Sequence, residues 1–146
     1  MKIATILPYK ENYTFSKAQA AAIWVSDFYK YSKYKDQTFI FGNTTTKDFL
    51  TKNYTNIQIN NLKKKFTSTT KEYCNNFIKK TKNKNFDIVE IHNRPEVFNL
   101  LKDKISSKFV LYFHNDPLSM YGSKSSNERL KLLINLDKIV FISKWV

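Results

Sequence analysis

Six short apolar runs punctuate the chain: Ile3–Leu7, Thr38–Phe41, Ile57–Ile59, Ile88–Ile91, Phe109–Phe113 and Ile139–Ile142. Most are near-continuous rather than alternating, and they draw on Ile, Val and Phe. Strands buried on both faces have that texture, so the pattern predicts a parallel sheet covered by helices. Gln58 interrupts the third run, which suits an edge strand.

Helix-period stretches lie between the runs. Ser16-Lys-Ala-Gln19 reads as a capping box opening a helix with Ala18, Ala21, Val25 and Phe28 on one face. Thr69-Thr-Lys-Glu72 opens a second, with Tyr73, Cys74, Phe77 and Ile78 as its stripe. In Asn93-Arg-Pro-Glu96, Asn93 suits a cap and Pro95 a first turn, and Phe98, Leu101 and Ile105 follow facing inward. Ser125-Ser-Asn-Glu128 starts a fourth helix carrying Leu130, Leu133 and Ile134, while Lys47–Asn53 has the weakest helical signal. Alternating strands and helices joined by right-handed crossovers build an α/β, doubly wound, mostly parallel sheet of about six strands with helices on both faces. Ser143-Lys-Trp-Val146 reads as a cap and first turn of a further helix, so the chain is expected to be the N-terminal fragment of something larger.

Composition narrows the class. The chain has 146 residues, 42% hydrophobic and 16% aromatic, enough for one globular domain with a real core. Cys74 is the only cysteine, so no internal disulfide can form, and a reducing, cytoplasmic setting fits. Neither a secretory leader nor a run of ~18 apolar residues is visible. The net charge of +13 points toward an anionic partner, but only Arg94 and Arg129 among the 25 basic residues are arginines. Bidentate base reading relies on arginine, so nucleic acid is not expected as a partner. An excess of Lys, Asn, Ile, Tyr and Phe is also what an A/T-rich genome writes.

In an open parallel sheet, ligands bind beyond the carboxyl ends of the strands. Those ends read Pro8-Tyr9-Lys10-Glu11, Gly42-Asn43, His92-Asn93-Arg94, His114-Asn115-Asp116 and Ser143-Lys144. Both histidines and one arginine therefore fall at the ligand edge, each histidine leaving a strand and preceding Asn. Two glycines cannot build a dinucleotide or Walker loop. Cys74 sits on an apolar helix face and reads as core, and no ligand spacing supports a metal at His92, His114 and Asp116. Tyr9, Tyr13 and Tyr121 fall in loops, placed to stack on a sugar.

Taken in order, these segments resemble the N-terminal half of family-4 glycosyltransferases of the two-domain GT-B fold. The likeness is carried by Leu7-Pro8 before the Ala-rich Lys17-Ala-Gln-Ala-Ala-Ala22, and by Phe86-Asp-Ile-Val-Glu-Ile-His-Asn-Arg-Pro95. Val110-Leu-Tyr-Phe-His-Asn-Asp116 and Asp137-Lys-Ile-Val-Phe-Ile-Ser143 extend it. The first loop departs from the pattern, since Tyr9–Ala22 lacks the Gly-Gly pair many members carry. The resemblance implies a Rossmann-like acceptor-side domain over 1–146, with the donor-binding domain absent. It implies a retaining, nucleotide-sugar-dependent hexosyltransferase serving polysaccharide, lipopolysaccharide or glycolipid biosynthesis, inactive as this fragment. Such transferases use no metal; the nucleotide-sugar is a co-substrate, and helix N-termini and basic side chains stabilise the leaving diphosphate.

By position, the resemblance makes His114 the catalytic residue near the transferred sugar. It makes Lys10, Tyr13, Lys17, His92, Asn93, Arg94, Asn115 and Asp116 substrate-binding, with the N–H groups capped by Ser16 also facing the ligand. Acceptors carried on anionic lipids would give the lysines a use, through peripheral contact with the inner face of a membrane. Two other readings stay open at this point: a stand-alone α/β module that binds a small ligand or regulates, and a basic nucleic-acid-binding domain.

Overall fold

A computed structural model describes residues 1–59 and 68–144. Among them, β1 (Ile3–Ile6), β2 (Thr38–Gly42), β3 (Tyr54–Asn56), β4 (Ile88–His92), β5 (Lys108–Phe113) and β6 (Lys138–Phe141) form one sheet. Its order is β3-β2-β1-β4-β5-β6, and every pair is parallel. The helices are α1 (Ala20–Tyr31), α2 (Thr69–Thr81), α3 (Pro95–Leu101) and α4 (Ser126–Asn135). This is the Rossmann-like, doubly wound arrangement that the apolar runs predict.

Handedness distributes the helices. From β1 the chain steps outward to β2 through α1, then returns across β1 to β4 through α2 and continues in that direction. Right-handed connections therefore put α1 on one face and α2, α3 and α4 on the other. The packing agrees. Leu7, Tyr13, Ala22, Val25, Ile40 and Tyr54 form one buried cluster around α1. Ala4, Ile6, Phe41, Phe77, Phe98 and Leu111 belong to the larger cluster on the opposite face. Each such Leu or Phe contributes about 1.5–3 kcal/mol by leaving water. All four β1 residues are buried, as a strand covered on both sides must be. Tyr73, buried on α2, donates its hydroxyl to the Leu7 carbonyl at 3.0 Å and ties that helix to the end of β1.

Several local expectations shift. The third strand is Tyr54–Asn56 rather than Ile57–Ile59, because residues 54–56 match the register of Ile40–Gly42 while Ile57 turns into the core beyond the ladder. The Ser16 box does not form. The N-cap of α1 is Gln19, which makes no side-chain cap bond, and the Glu11 carboxylate accepts from the Ala22 N–H at 3.0 Å instead. The Ser16 N–H itself is spent on Asp48. In α3 the cap position falls on Arg94, one residue after Asn93. The Ser125–Glu128 box forms as expected, each residue satisfying the other's backbone N–H.

Two expected buried stripes are partly outside. Phe28 is exposed on α1, and Leu130, Leu133 and Ile134 are exposed on α4, where Leu132 is the buried contact. In β5 the side chains alternate: Phe109, Leu111 and Phe113 are buried, while Val110 and Tyr112 are only half-buried. Ala22 and Val25 of α1 pack with Leu7 and Ile40, while Trp24 reaches across to His92 and Tyr112, so the same face of β4 and β5 is covered only in part. Of the expected helix start at Ser143–Val146, residues 145 and 146 lie outside the described residues. No helix among the described residues is long and apolar enough to cross a membrane.

Candidate functional site at the carboxyl edge of the sheet

The order in which strands are added reverses between β1 and β4, so the crevice beyond their carboxyl ends is where an open α/β sheet binds ligands. His92 is the last residue of β4, and it pairs in register with Tyr112 of β5. His114 follows two residues after Tyr112 and so leaves the sheet on the same face. The two imidazoles meet there, with His92 Nδ1 and His114 Nε2 2.8 Å apart. Tyr112 stacks on His92 at 4.7 Å with the rings 7° apart. Trp24 of α1 closes the group, edge-on to His114 at 5.3 Å and tilted against His92 at 5.7 Å.

Burial decides what the pair can do. His92 is 1% exposed, and desolvation first, then the neighbouring His114, holds its pKa well below the usual imidazole range. Desolvation also lowers His114, which is half-buried. Both rings are therefore neutral at pH 7, and the 2.8 Å contact is one N–H···N hydrogen bond with one proton between them. When His92 donates, the other nitrogen of His114 carries a proton and can donate outward. When His114 donates, that nitrogen is a lone pair and can accept. The pair can present either a hydrogen-bond donor or a weak base at one outward position.

Asn93 fixes that position. Its backbone sits at φ 52°, a left-handed conformation Asn tolerates better than most residues. From there its Oδ1 accepts from the His114 N–H at 2.7 Å and the Asn115 N–H at 3.3 Å. Asn93 is thus a buried brace for the His114 turn, its carbonyl oxygen already committed. Asn115 is exposed beside it. The Asp116 carboxylate is also exposed, but it caps the short turn at Pro117–Ser119 by accepting from the Leu118 N–H at 2.9 Å.

A second group spans the reversal point. The Arg94 guanidinium lies 5.5 Å over the Tyr9 ring, and its positive charge reaches the Glu11 carboxylate. Burial still raises the Glu11 pKa, with the Ala22 N–H and Arg94 working against it. Lys10 is exposed and borders a shallow depression of about 560 Å³ shared with Asn12, Asn43 and Thr69.

Not every expected residue joins. Tyr13 is fully buried, stacked on Tyr54 at 5.0 Å with its hydroxyl donating to Thr51, and it sits in the core cluster around α1 rather than at the rim. His92 stands behind His114 rather than beside it at the surface. Lys17 is exposed in the turn before α1, without a bond to the histidine group. Tyr121 is exposed, with the Lys124 ammonium 4.4 Å over its ring.

Three residues escaped the sequence reading: Trp24, Tyr112 and Glu90. Glu90 carried a signal, as the one charged residue inside an apolar run read as buried on both faces. Its carboxylate accepts from Thr5 Oγ1 at 2.7 Å and from the Tyr112 hydroxyl at 3.4 Å, and burial raises its pKa. Among the described residues, no three His, Cys, Asp or Glu side chains gather as a metal site. No protein-family model matches this chain, and no curated protein matches it either.

Proposed function

We propose that this chain is the acceptor-side half of a retaining, nucleotide-sugar-dependent glycosyltransferase of the GT-B fold, as its resemblance to family 4 implies. The observation that carries the reading is the neutral His92–His114 pair at the carboxyl edge of adjacent parallel strands, with His114 outward. A neutral imidazole that can switch between donor and acceptor suits a sugar hydroxyl, which is itself both. Because its partner is buried, the ring is oriented before a ligand arrives, and orientation set in advance lowers the entropic cost of binding. Asn115, exposed next to His114, supplies a further polar group, and Arg94 lies with Tyr9 and Glu11 at the end of β1. In this reading, His114 bonds the transferred sugar or its acceptor, and His92 and Asn93 position it. The leaving diphosphate is stabilised by groups of the donor-binding domain.

The test is ligand-observed NMR with a panel of mono- and disaccharides, free nucleotides and nucleotide-sugars, on the chain and on His114→Ala. Saccharide binding that His114→Ala weakens tenfold or more, with little or no nucleotide binding, is the expected result. Tight binding of a free nucleotide without any saccharide binding would overturn the reading in favour of a stand-alone ligand-binding module.

A further inference from the structure

On the face of the sheet that α1 crosses, a cleft of about 310 Å³ opens beneath the helix; His92 and Trp24 line it and separate it from His114. Its floor is Ile3 of β1 and Ile88 of β4, and its wall is aromatic. Trp24 and Phe28 stack at 5.2 Å with their planes 5° apart, forming one continuous surface, and Tyr29 extends it. Tyr34, at the mouth, already holds the Lys33 ammonium 5.0 Å over its ring.

The Met1 α-ammonium borders this cleft but is turned to Asp87 at 3.9 Å, and among the described residues Glu90 is the only charged side chain lining it. Its two contacts, Thr5 and Tyr112, are neutral hydroxyls, and among the described residues it forms no ion pair. A carboxylate held among apolar and aromatic groups is short of positive charge, and the faces of aromatic rings attract cations as well. The volume sits at the lower end for small-molecule sites, roughly 300–1,000 Å³, enough for one ring on a short chain and too small for a nucleotide-sugar. The lysine-rich exterior, with its net charge of +13, repels any cation in proportion to its charge, so among amines it disfavours a monocation least.

We infer that the cleft beneath α1 binds a small organic monocation, an arylalkyl or alkyl amine. Its ammonium pairs with Glu90, and its apolar body lies against Trp24, Phe28 and Ile88. The inference stands apart from the sugar-handling reading: Trp24 borders both places, but the amine preference is lost with Glu90→Gln and saccharide binding with His114→Ala.

Phenethylamine is the probe, and 2-phenylethanol is its uncharged counterpart of nearly the same shape. Each is titrated into the chain at pH 7 while the indole N–H signal of Trp24 is followed by NMR, assigned through Trp24→Phe. The amine is expected to bind saturably and at least tenfold more tightly than the alcohol. Glu90→Gln, which keeps the side chain's shape and its hydroxyl contacts, should abolish that preference and leave alcohol binding unchanged. Phe28→Ala alters a half-exposed ring without touching the core, and it should weaken both ligands. Equal binding of amine and alcohol, no saturable binding of either at millimolar concentration, or an amine preference that survives Glu90→Gln would overturn the inference.

Discussion

Replacing His92 with Phe tests the central geometry of the histidine pair. The imidazole is enclosed by Trp24, Tyr112 and His114, and burial followed by the adjacent His114 holds its pKa well below the ordinary value. As pH falls through about 6.5, the unfolded chain binds a proton at His92 and the folded chain does not. The stability associated with a neutral His92 is therefore complete above that pH and is lost below it. The loss is limited to one proton, about 1.4 kcal/mol per pH unit. Between pH 7.5 and 5.5, a histidine that stays neutral in the fold and titrates near 6.5 when unfolded costs about 1.4 kcal/mol in total.

Glu11 and Glu90 act in the opposite sense. Burial raises both, so acidification toward their unfolded values relieves a strain that is largest at neutral pH. Their effect is common to the parent chain and the variant and cancels in the comparison. His114, lowered by its own desolvation, titrates in both, and His114→Ala carried in both as the common background removes it from the difference. Phe keeps a flat ring against Tyr112 and removes the titrating group. Urea unfolding followed by circular dichroism at the two pH values should then show the parent losing about 1.4 kcal/mol more than His92→Phe. Equal losses would mean that His92 takes up its proton inside the fold, and the enclosed neutral pair would be refuted.

Asn93→Ala removes an acceptor used by two backbone N–H groups and leaves a β-carbon at φ 52°, which together should cost about 2–3 kcal/mol in urea unfolding. Asn93→Gly relieves the backbone and should fall between Asn93→Ala and the parent. An Asn93→Ala variant of parent stability would show that the His114 turn is held by something else. The Cys74 thiol, pushed up to about 12 by burial, should ignore a thiol-reactive disulfide reagent at pH 8 until the chain is denatured, and rapid labelling of the folded protein would contradict the packing of α2.

How much of this was legible along the chain depended on range. The runs at Ile3–Leu7 and Ile88–Ile91 announced central parallel strands because both faces of those strands are covered, and burial on both faces leaves a composition that no partner is needed to read. The Ser125–Glu128 box was equally local and formed as written. Ser16–Gln19 offers the same kind of local signal and fails, because the Glu11 carboxylate reaches Ala22 across the loop and takes over a helix N–H. The shift of the third strand has a similar origin. Ile57 is as apolar as a strand residue should be, but the ladder is set by what Ile40–Gly42 can pair with. Helix periodicity marked an apolar face on α4 without telling which part would be covered, and Leu132 rather than Leu133 met the core.

The histidine site was half visible for a reason that the strands themselves contain. β4 ends Val89-Glu90-Ile91-His92, and the chain through β5 ends Leu111-Tyr112-Phe113-His114. In each, the fully buried apolar residues alternate with polar ones, so the polar members share a face by the period-two rule. Strand-end position alone put both histidines at the ligand edge. Placing them in contact takes one more fact, the parallel pairing of His92 with Tyr112, which sets His114 one step beyond its partner and lets the rings overlap. That register is a property of two strands, and no single segment encodes it. The same alternation puts Glu90 and Tyr112 on the histidine face, where α1 covers them only in part. One stripe of polar residues along two neighbouring strands thus carries both an outward rim at His114 and an inward carboxylate at Glu90, with His92 and the Trp24 ring of α1 between them.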